Sequence, residues 1–126
     1  MLVADINDKP AELVRMALTR ARFCQLSAQK DATLDEHICF TAGLISLLSA
    51  MMDVEMTQVL DSISATQQLR DILLNETGKE NHLLQIVGAI EQDTFSPDLE
   101  LTEAMNDTYF EALVWADKAS RMLEAS

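Results

Sequence analysis

Residues 33–52 read Thr-Leu-Asp-Glu-His-Ile-Cys-Phe-Thr-Ala-Gly-Leu-Ile-Ser-Leu-Leu-Ser-Ala-Met-Met. The opening Thr33-Leu34-Asp35-Glu36 has the spacing of a capping box, in which the Thr33 hydroxyl accepts from the backbone N–H three residues on while Glu36 reaches back. It predicts a helix over 34–52. From Ile38 onward that helix is apolar on most sides, so it should be the central, most buried element. It does not read as a membrane span, because Thr41, Ser46 and Ser49 interrupt it and a crossing needs about 20 apolar residues. Gly43 costs such a helix about 1 kcal/mol relative to Ala. A neighbouring helix packed closely against it would account for the glycine.

The flanking sequence is helical in the same way. Upstream, Lys9-Pro10 fits a helix start, since proline loses nothing in a first turn. Val14, Ala17, Ala21, Cys24 and Ala28 then recur at spacings of three or four, broadened by Leu13, Leu18 and Phe23, which predicts a helix over 10–29. Downstream, a short segment runs from Met56 to Ile63. Ser64-Ala65-Thr66-Gln67 forms a second capping box ahead of a helix ending near Asn75, with Gly78 as a stop signal. Lys79 to Gln92 is helical again. Ser96-Pro97 can cap a last helix reaching Leu123, whose core face is Leu101, Met105, Tyr109, Ala112, Ala116, Ala119 and Leu123, widened by Phe110, Leu113, Val114 and Trp115.

The expectation is an all-α, single-domain helical array of five to six helices over residues 10–126. Residues 1–9 form a separate N-terminal segment whose apolar Leu2–Ile6 looks like the tail of a missing upstream element. A chain of 126 residues suits one domain. Only 3 Gly and 2 Pro speak against the many turns of a β-sandwich or barrel. With 9 Lys and Arg against 21 Asp and Glu, the net charge of −12 disfavours nucleic acid or an anionic membrane as partner. Two cysteines without metal spacing, and no basic-then-apolar leader, predict a reduced, cytoplasmic protein.

The residues offer little catalytic chemistry. His37 precedes Ile38 and His82 precedes Leu83, so no His-Asp pair exists to hold a hydrolytic metal. Neither histidine follows a Glu at the spacing used by di-iron bundles. Cys24 and Cys39 fall on apolar helix faces, where cysteine behaves as a small hydrophobe. No catalytic, metal or cofactor residue is assigned. Asp31, Asp35 and Glu36 beside His37 are the only compact alternative for a metal-dependent helical hydrolase. Arg15, Arg20 and Arg22 form a local basic cluster in an acidic chain, a candidate surface for an acidic partner.

One resemblance goes further. Ala17-Leu18-Thr19-Arg20-Ala21-Arg22-Phe23-Cys24 and Phe40-Thr41-Ala42-Gly43-Leu44-Ile45-Ser46-Leu47-Leu48 resemble the HDOD domain, in the subgroup attached to EAL cyclic-di-GMP phosphodiesterase-like domains. Lys9-Pro10 with Glu12-Leu13, and Tyr109-Phe110-Glu111-Ala112-Leu113-Val114-Trp115-Ala116-Asp117, look like that subgroup too. The similarity covers nearly the whole chain, as the second half of the domain. It implies an HD-like helical fold without the metal ligands of HD phosphohydrolases. Active relatives read Gly-Leu-Leu-His-Asp, whereas here Gly43-Leu44-Ile45 runs into Ser46 and Leu47. Neither Ser nor Leu replaces those ligands. Glu111-Ala112-Leu113 spells the EAL letters by coincidence, without companion acidic motifs.

The resemblance therefore implies a non-catalytic interaction module of a bacterial regulatory protein, with no cofactor. Its expected partner is an EAL-type or other signalling domain of the same or a second protein. A generic dimerising helical adaptor is the alternative from another class. A homodimer is expected if absent upstream helices leave an apolar face uncovered.

Overall fold

The computed structural model describes residues 2–92 and 102–125, with side chains described over 11–47, 53–92 and 102–123. Among them lie six helices and no strand: α1 (Leu2–Gln29), α2 (Glu36–Met52), α3 (Met56–Ser62), α4 (Gln67–Leu74), α5 (Gly78–Gln92) and α6 (Glu103–Ala125). The chain folds as a single helical domain, as the periodicity predicts.

Helix α2 is its axis. It packs on α1, α3, α4 and α5, while α1 also meets α5 and α6. Two hydrophobic clusters share it. Cys39 joins Phe23, Cys24 and Ala28 of α1, Ile86 and Val87 of α5 and Ala112 of α6. Ala42 and Ile45 join Val59 and Leu60 of α3 and Leu69 and Ile72 of α4. Each large aliphatic or aromatic side chain so buried contributes about 1.5–3 kcal/mol. Gly43 marks where α1 and α2 are tightest: a Cβ there would stand 2.8 Å from the Ala21 Cα and 2.9 Å from the Arg20 carbonyl oxygen. The expected close neighbour is present, and Ala17 and Ala21 keep it close.

Several boundaries differ from the sequence reading. Helix α1 begins at Leu2, with Pro10 inside it, and not at residue 10. Proline's φ suits a helix, and an interior proline, though it loses one hydrogen bond and crowds the carbonyl four residues back, does not by itself mark a start. Asp35 caps α2, not Thr33: its Oδ1 accepts from the backbone N–H of His37 at 2.8 Å and of Ile38 at 3.3 Å. The Thr33 hydroxyl donates to Asp31 instead, and Glu36 accepts from Gln29, so both partners of the expected box are engaged elsewhere. Thr66 caps α4 by accepting from the Leu69 N–H, while Ser64 sits at φ 53° in the loop before it. Gly78 opens α5 at φ +91° and does not stop α4, which ends earlier at Leu74. Ser96-Pro97 lies outside the described residues; α6 starts at Glu103, where the Thr102 hydroxyl accepts from the Met105 N–H.

The largest correction concerns α6. It buries a narrow stripe, Thr108, Ala112, Ala116 and Ser120, at intervals of four. Small side chains let it lie close on α1, and that leaves no room for a wide apolar face. Phe110, Leu113, Val114 and Leu123 are therefore exposed. Trp115 alone of the expected widening residues is half-buried, edge-on to Phe40 of α2 at 6.2 Å between ring centroids.

Candidate functional site

Ser46 and Leu47 occupy α2 where the resemblance would put a His-Asp pair. The structure puts a cation beside Ser46, but the cation is a side chain. Arg20 of α1 and Glu91 of α5 converge there, with side chains only 15% and 8% exposed. The Arg20 guanidinium holds both Glu91 carboxylate oxygens, through Nη2 to Oε1 and through Nε to Oε2 at 3.4 Å. Its Nη1 donates to the Ser46 hydroxyl at 3.1 Å, and that hydroxyl donates to the Gly43 carbonyl at 2.7 Å. Three helices thus meet on one bidentate ion pair and one serine.

The chemistry of this cluster is closed. Both Glu91 oxygens accept from Arg20, whose charge the carboxylate balances, so a divalent ion bound there would stand against the guanidinium's positive charge. The Ser46 proton is committed to a carbonyl, with no imidazole in contact to take it. Among the described residues, no group of three or more His, Cys, Asp or Glu side chains is placed to hold a metal.

The thiols nearby are equally inert. Cys24 and Cys39 are free and buried. Burial raises the Cys24 thiol far above its usual range, with Cys39 adding to the rise and Arg20 opposing it. Burial pushes Cys39 up to about 11, helped by the charges of Glu80, Asp35 and Asp31. A thiol held neutral is a poor nucleophile and a poor metal ligand. The Tyr109 hydroxyl is also raised, first by burial and then by Glu91, against the pull of Arg20. Its ring packs edge-on to Phe23 at 6.2 Å.

The group around His37 is not assembled as a site. The His37 side chain is 83% exposed, with Nε2 3.9 Å from Glu36. Asp35 serves as the α2 cap. Asp31 accepts from the Thr33 hydroxyl and N–H and lies 3.5 Å from Lys79; these hold its carboxyl below the usual range, the Thr33 bonds most.

The arginine cluster is divided. Arg20 turns inward to Glu91, whereas Arg15 and Arg22 face α6. Arg15 lies 3.7 Å from Glu12 and 4.0 Å from Asp117. Arg22 donates to Gln25 at 2.7 Å and stands over the Trp115 ring, 5.2 Å from its centroid. Arg20 is therefore not part of a surface with the other two.

Between α1, α5 and α6 lies a cavity of about 270 Å³ walled by Phe23, Leu83, Ile86 and Met105, with Lys30 at its rim. Lys30 donates to the Thr108 hydroxyl at 2.8 Å. The walls are apolar and carry no acid–base pair.

Sequence reasoning missed Glu91 as the partner of Arg20. The signal was present: Glu91 follows Leu84 and Val87 at helical spacing on the buried side of α5, and Arg20 stands between Ala17 and Cys24 on that of α1. A charge on an apolar stripe needs a counter-charge, and each of these supplies the other's.

No family model matches the chain, and no solved structure matches it. Two curated proteins do. The chain is 23% identical over 109 residues to the uncharacterized protein YuxH of Bacillus subtilis, covering 82% of this chain and 27% of that protein. It is 27% identical over 125 residues to the cyclic di-GMP phosphodiesterase CdgJ of Vibrio cholerae, covering 93% of this chain and 29% of that protein. The chain spans under a third of the length of either relative. Among the described residues no helix is long and apolar enough to cross a membrane. Among the described residues the fold is all-helical, and the chain is distantly similar to a cyclic di-GMP phosphodiesterase.

Proposed function

We propose that the chain is a non-catalytic interaction module, equivalent to the second half of an HDOD domain, in a bacterial cytoplasmic protein of cyclic-di-GMP signalling. One observation carries the non-catalytic part. The α1–α2–α5 junction that would have to present a metal to a phosphoester presents instead an arginine whose charge Glu91 neutralises and whose remaining donor Ser46 accepts. Such a junction holds helices together and has no group to activate water. The likeness to a cyclic di-GMP phosphodiesterase supports the signalling context, and an EAL-type domain of the same or a second protein is the partner this reading names.

The test uses the purified chain with cyclic di-GMP and with bis(p-nitrophenyl) phosphate, in the presence of Mg²⁺ or Mn²⁺. The expected result is no hydrolysis above the metal-only rate, and binding to an EAL-domain protein in a titration. Metal-dependent turnover abolished by chelator, and reduced by His37→Ala, would favour the hydrolase alternative and end this reading.

A further inference from the structure

The cavity between α1, α5 and α6 has a floor and a mouth of different chemistry. Phe23 and Ile86 at its floor are 1% and 2% exposed, and Leu83 and Met105 line its sides. Lys30 and Ala104 at its mouth are exposed. Among the described residues no carboxylate lines it.

Lys30 is held at that mouth by a buried hydroxyl. Thr108, 5% exposed, donates to the Ala104 carbonyl at 2.9 Å and accepts from Lys30 at 2.8 Å. One ammonium proton is used in this way and two are left. Among the described residues they meet no carboxylate, although the chain has 21 Asp and Glu. Arg15, Arg20, Arg70, Lys79 and Arg121 each meet one. Asp31, next to Lys30 in the chain, is engaged instead by Thr33 and Lys79.

We propose that this cavity binds a small amphipathic acid, an unbranched carboxylate of medium chain length, with its tail between Phe23, Leu83, Ile86 and Met105 and its carboxylate on Lys30 Nζ. The volume sets the length. A cavity of about 270 Å³ holds about nine water-sized atoms at roughly 30 Å³ each. Octanoate fits that limit, with its carbons inside and its two oxygens at the mouth. The walls set the rest. Apolar sides favour a tail without polar groups of its own, and a cation lacking a counter-charge favours a negative head over a positive one. The net charge of −12 does not forbid an anion here, since exposed charges farther than about 8 Å are largely screened at physiological salt. The site binds and does not react, because its walls carry no acid–base pair. The inference goes beyond the signalling reading and does not rest on it.

A nuclear magnetic resonance titration of the 126-residue chain with octanoate tests it. The expected result is saturable shifts confined to the residues around Phe23–Lys30, Leu83–Ile86 and Ala104–Thr108, with a dissociation constant of about 0.1–1 mM, ordinary for a ligand so small. Hexanoate should bind about tenfold or more weakly, since each buried methylene is worth about fourfold. Octylamine, with the same tail and the opposite charge, should bind at least about fivefold more weakly than octanoate. Lys30→Met keeps the stem and loses the charge at an exposed position. It should weaken octanoate about fivefold and leave the binding of neutral 1-octanol unchanged. The absence of saturable shifts at millimolar octanoate, shifts centred elsewhere in the fold, octylamine binding as tightly as octanoate, or a Lys30→Met chain that binds octanoate as well as the parent would each overturn the proposal.

Discussion

The same substitution at two helical glycines should have opposite signs. At Gly43 a new Cβ meets backbone on the facing helix: Ala21 Cα at 2.8 Å, Arg20 O at 2.9 Å and Ala21 N at 3.0 Å. Carbon contacts relax at 3.5–4.0 Å, so α1 and α2 must part by about 0.5–1 Å. Backbone atoms cannot swing aside, so the strain belongs near the upper end of overpacking costs, about 3 kcal/mol. The gain in helix propensity returns about 1 kcal/mol, leaving Gly43→Ala about 2 kcal/mol less stable. At Gly88, in α5, a Cβ would have nothing within 4 Å. Gly88→Ala should therefore gain up to about 1 kcal/mol from propensity alone. Urea unfolding resolves both. With a slope of about 2 kcal/mol per molar, the midpoint falls by about 1 M for the first variant and rises by up to about 0.5 M for the second. A Gly43→Ala protein as stable as the parent would refute the close approach of α1 to α2.

Three further outcomes are expected. Arg20→Ala should cost about 3–5 kcal/mol by stranding a buried carboxylate, whereas Arg20→Met with Glu91→Leu should recover most of that loss in the same unfolding assay. Asp35→Ala removes the α2 cap and should cost about 0.5–2 kcal/mol, while Thr33→Ala, which leaves that cap intact, should cost less by thermal melting. Cys24 and Cys39 should resist a thiol reagent at pH 8 in the native state. Because the folded thiols hold their protons to higher pH than the unfolded ones, stability is full below about pH 9 and falls as pH rises from 9 through about 11, where Cys39 titrates. A flat pH profile over that window, with fast labelling at pH 8, would contradict the burial of both thiols.

The order and type of the helices were legible because apolar residues at spacings of three and four reflect what each helix buries. The run from Ile38 to Met52 announced the central helix, and Gly43 announced a close neighbour. Cap identity was less legible. Thr33, Asp35, Ser64 and Thr66 are all competent caps, and only tertiary placement decides which hydroxyl or carboxylate is free to bond the helix start. Helix α6 misled for a different reason. Its apolar residues nearly encircle it, and periodicity alone cannot tell a wide core face from a narrow one with an exposed stripe behind it. The ion pair at the α1–α2–α5 junction was half legible. Arg20 reads as a charge in the sequence, but its nearness to Arg15 and Arg22 hides its place on the buried stripe between Ala17 and Cys24.

Around Gly43 the surfaces that α1 and α2 present to each other are built of small residues: Ala17, Ala21, Ala42 and Gly43 offer little relief. Such a contact carries no directional bond of its own, so beyond the fit of Gly43 against Ala21 its register rests on polar groups at its edge. The guanidinium that bridges Ser46 and Glu91 acts as a detent, because moving either helix by one residue, about 1.5 Å, breaks directional bonds on both. Replacing the pair with Met and Leu would then leave a chain about as hard to unfold but less sharply arranged. The difference should show as weaker near-ultraviolet dichroism from Tyr109 and Trp115 at an unchanged helix content.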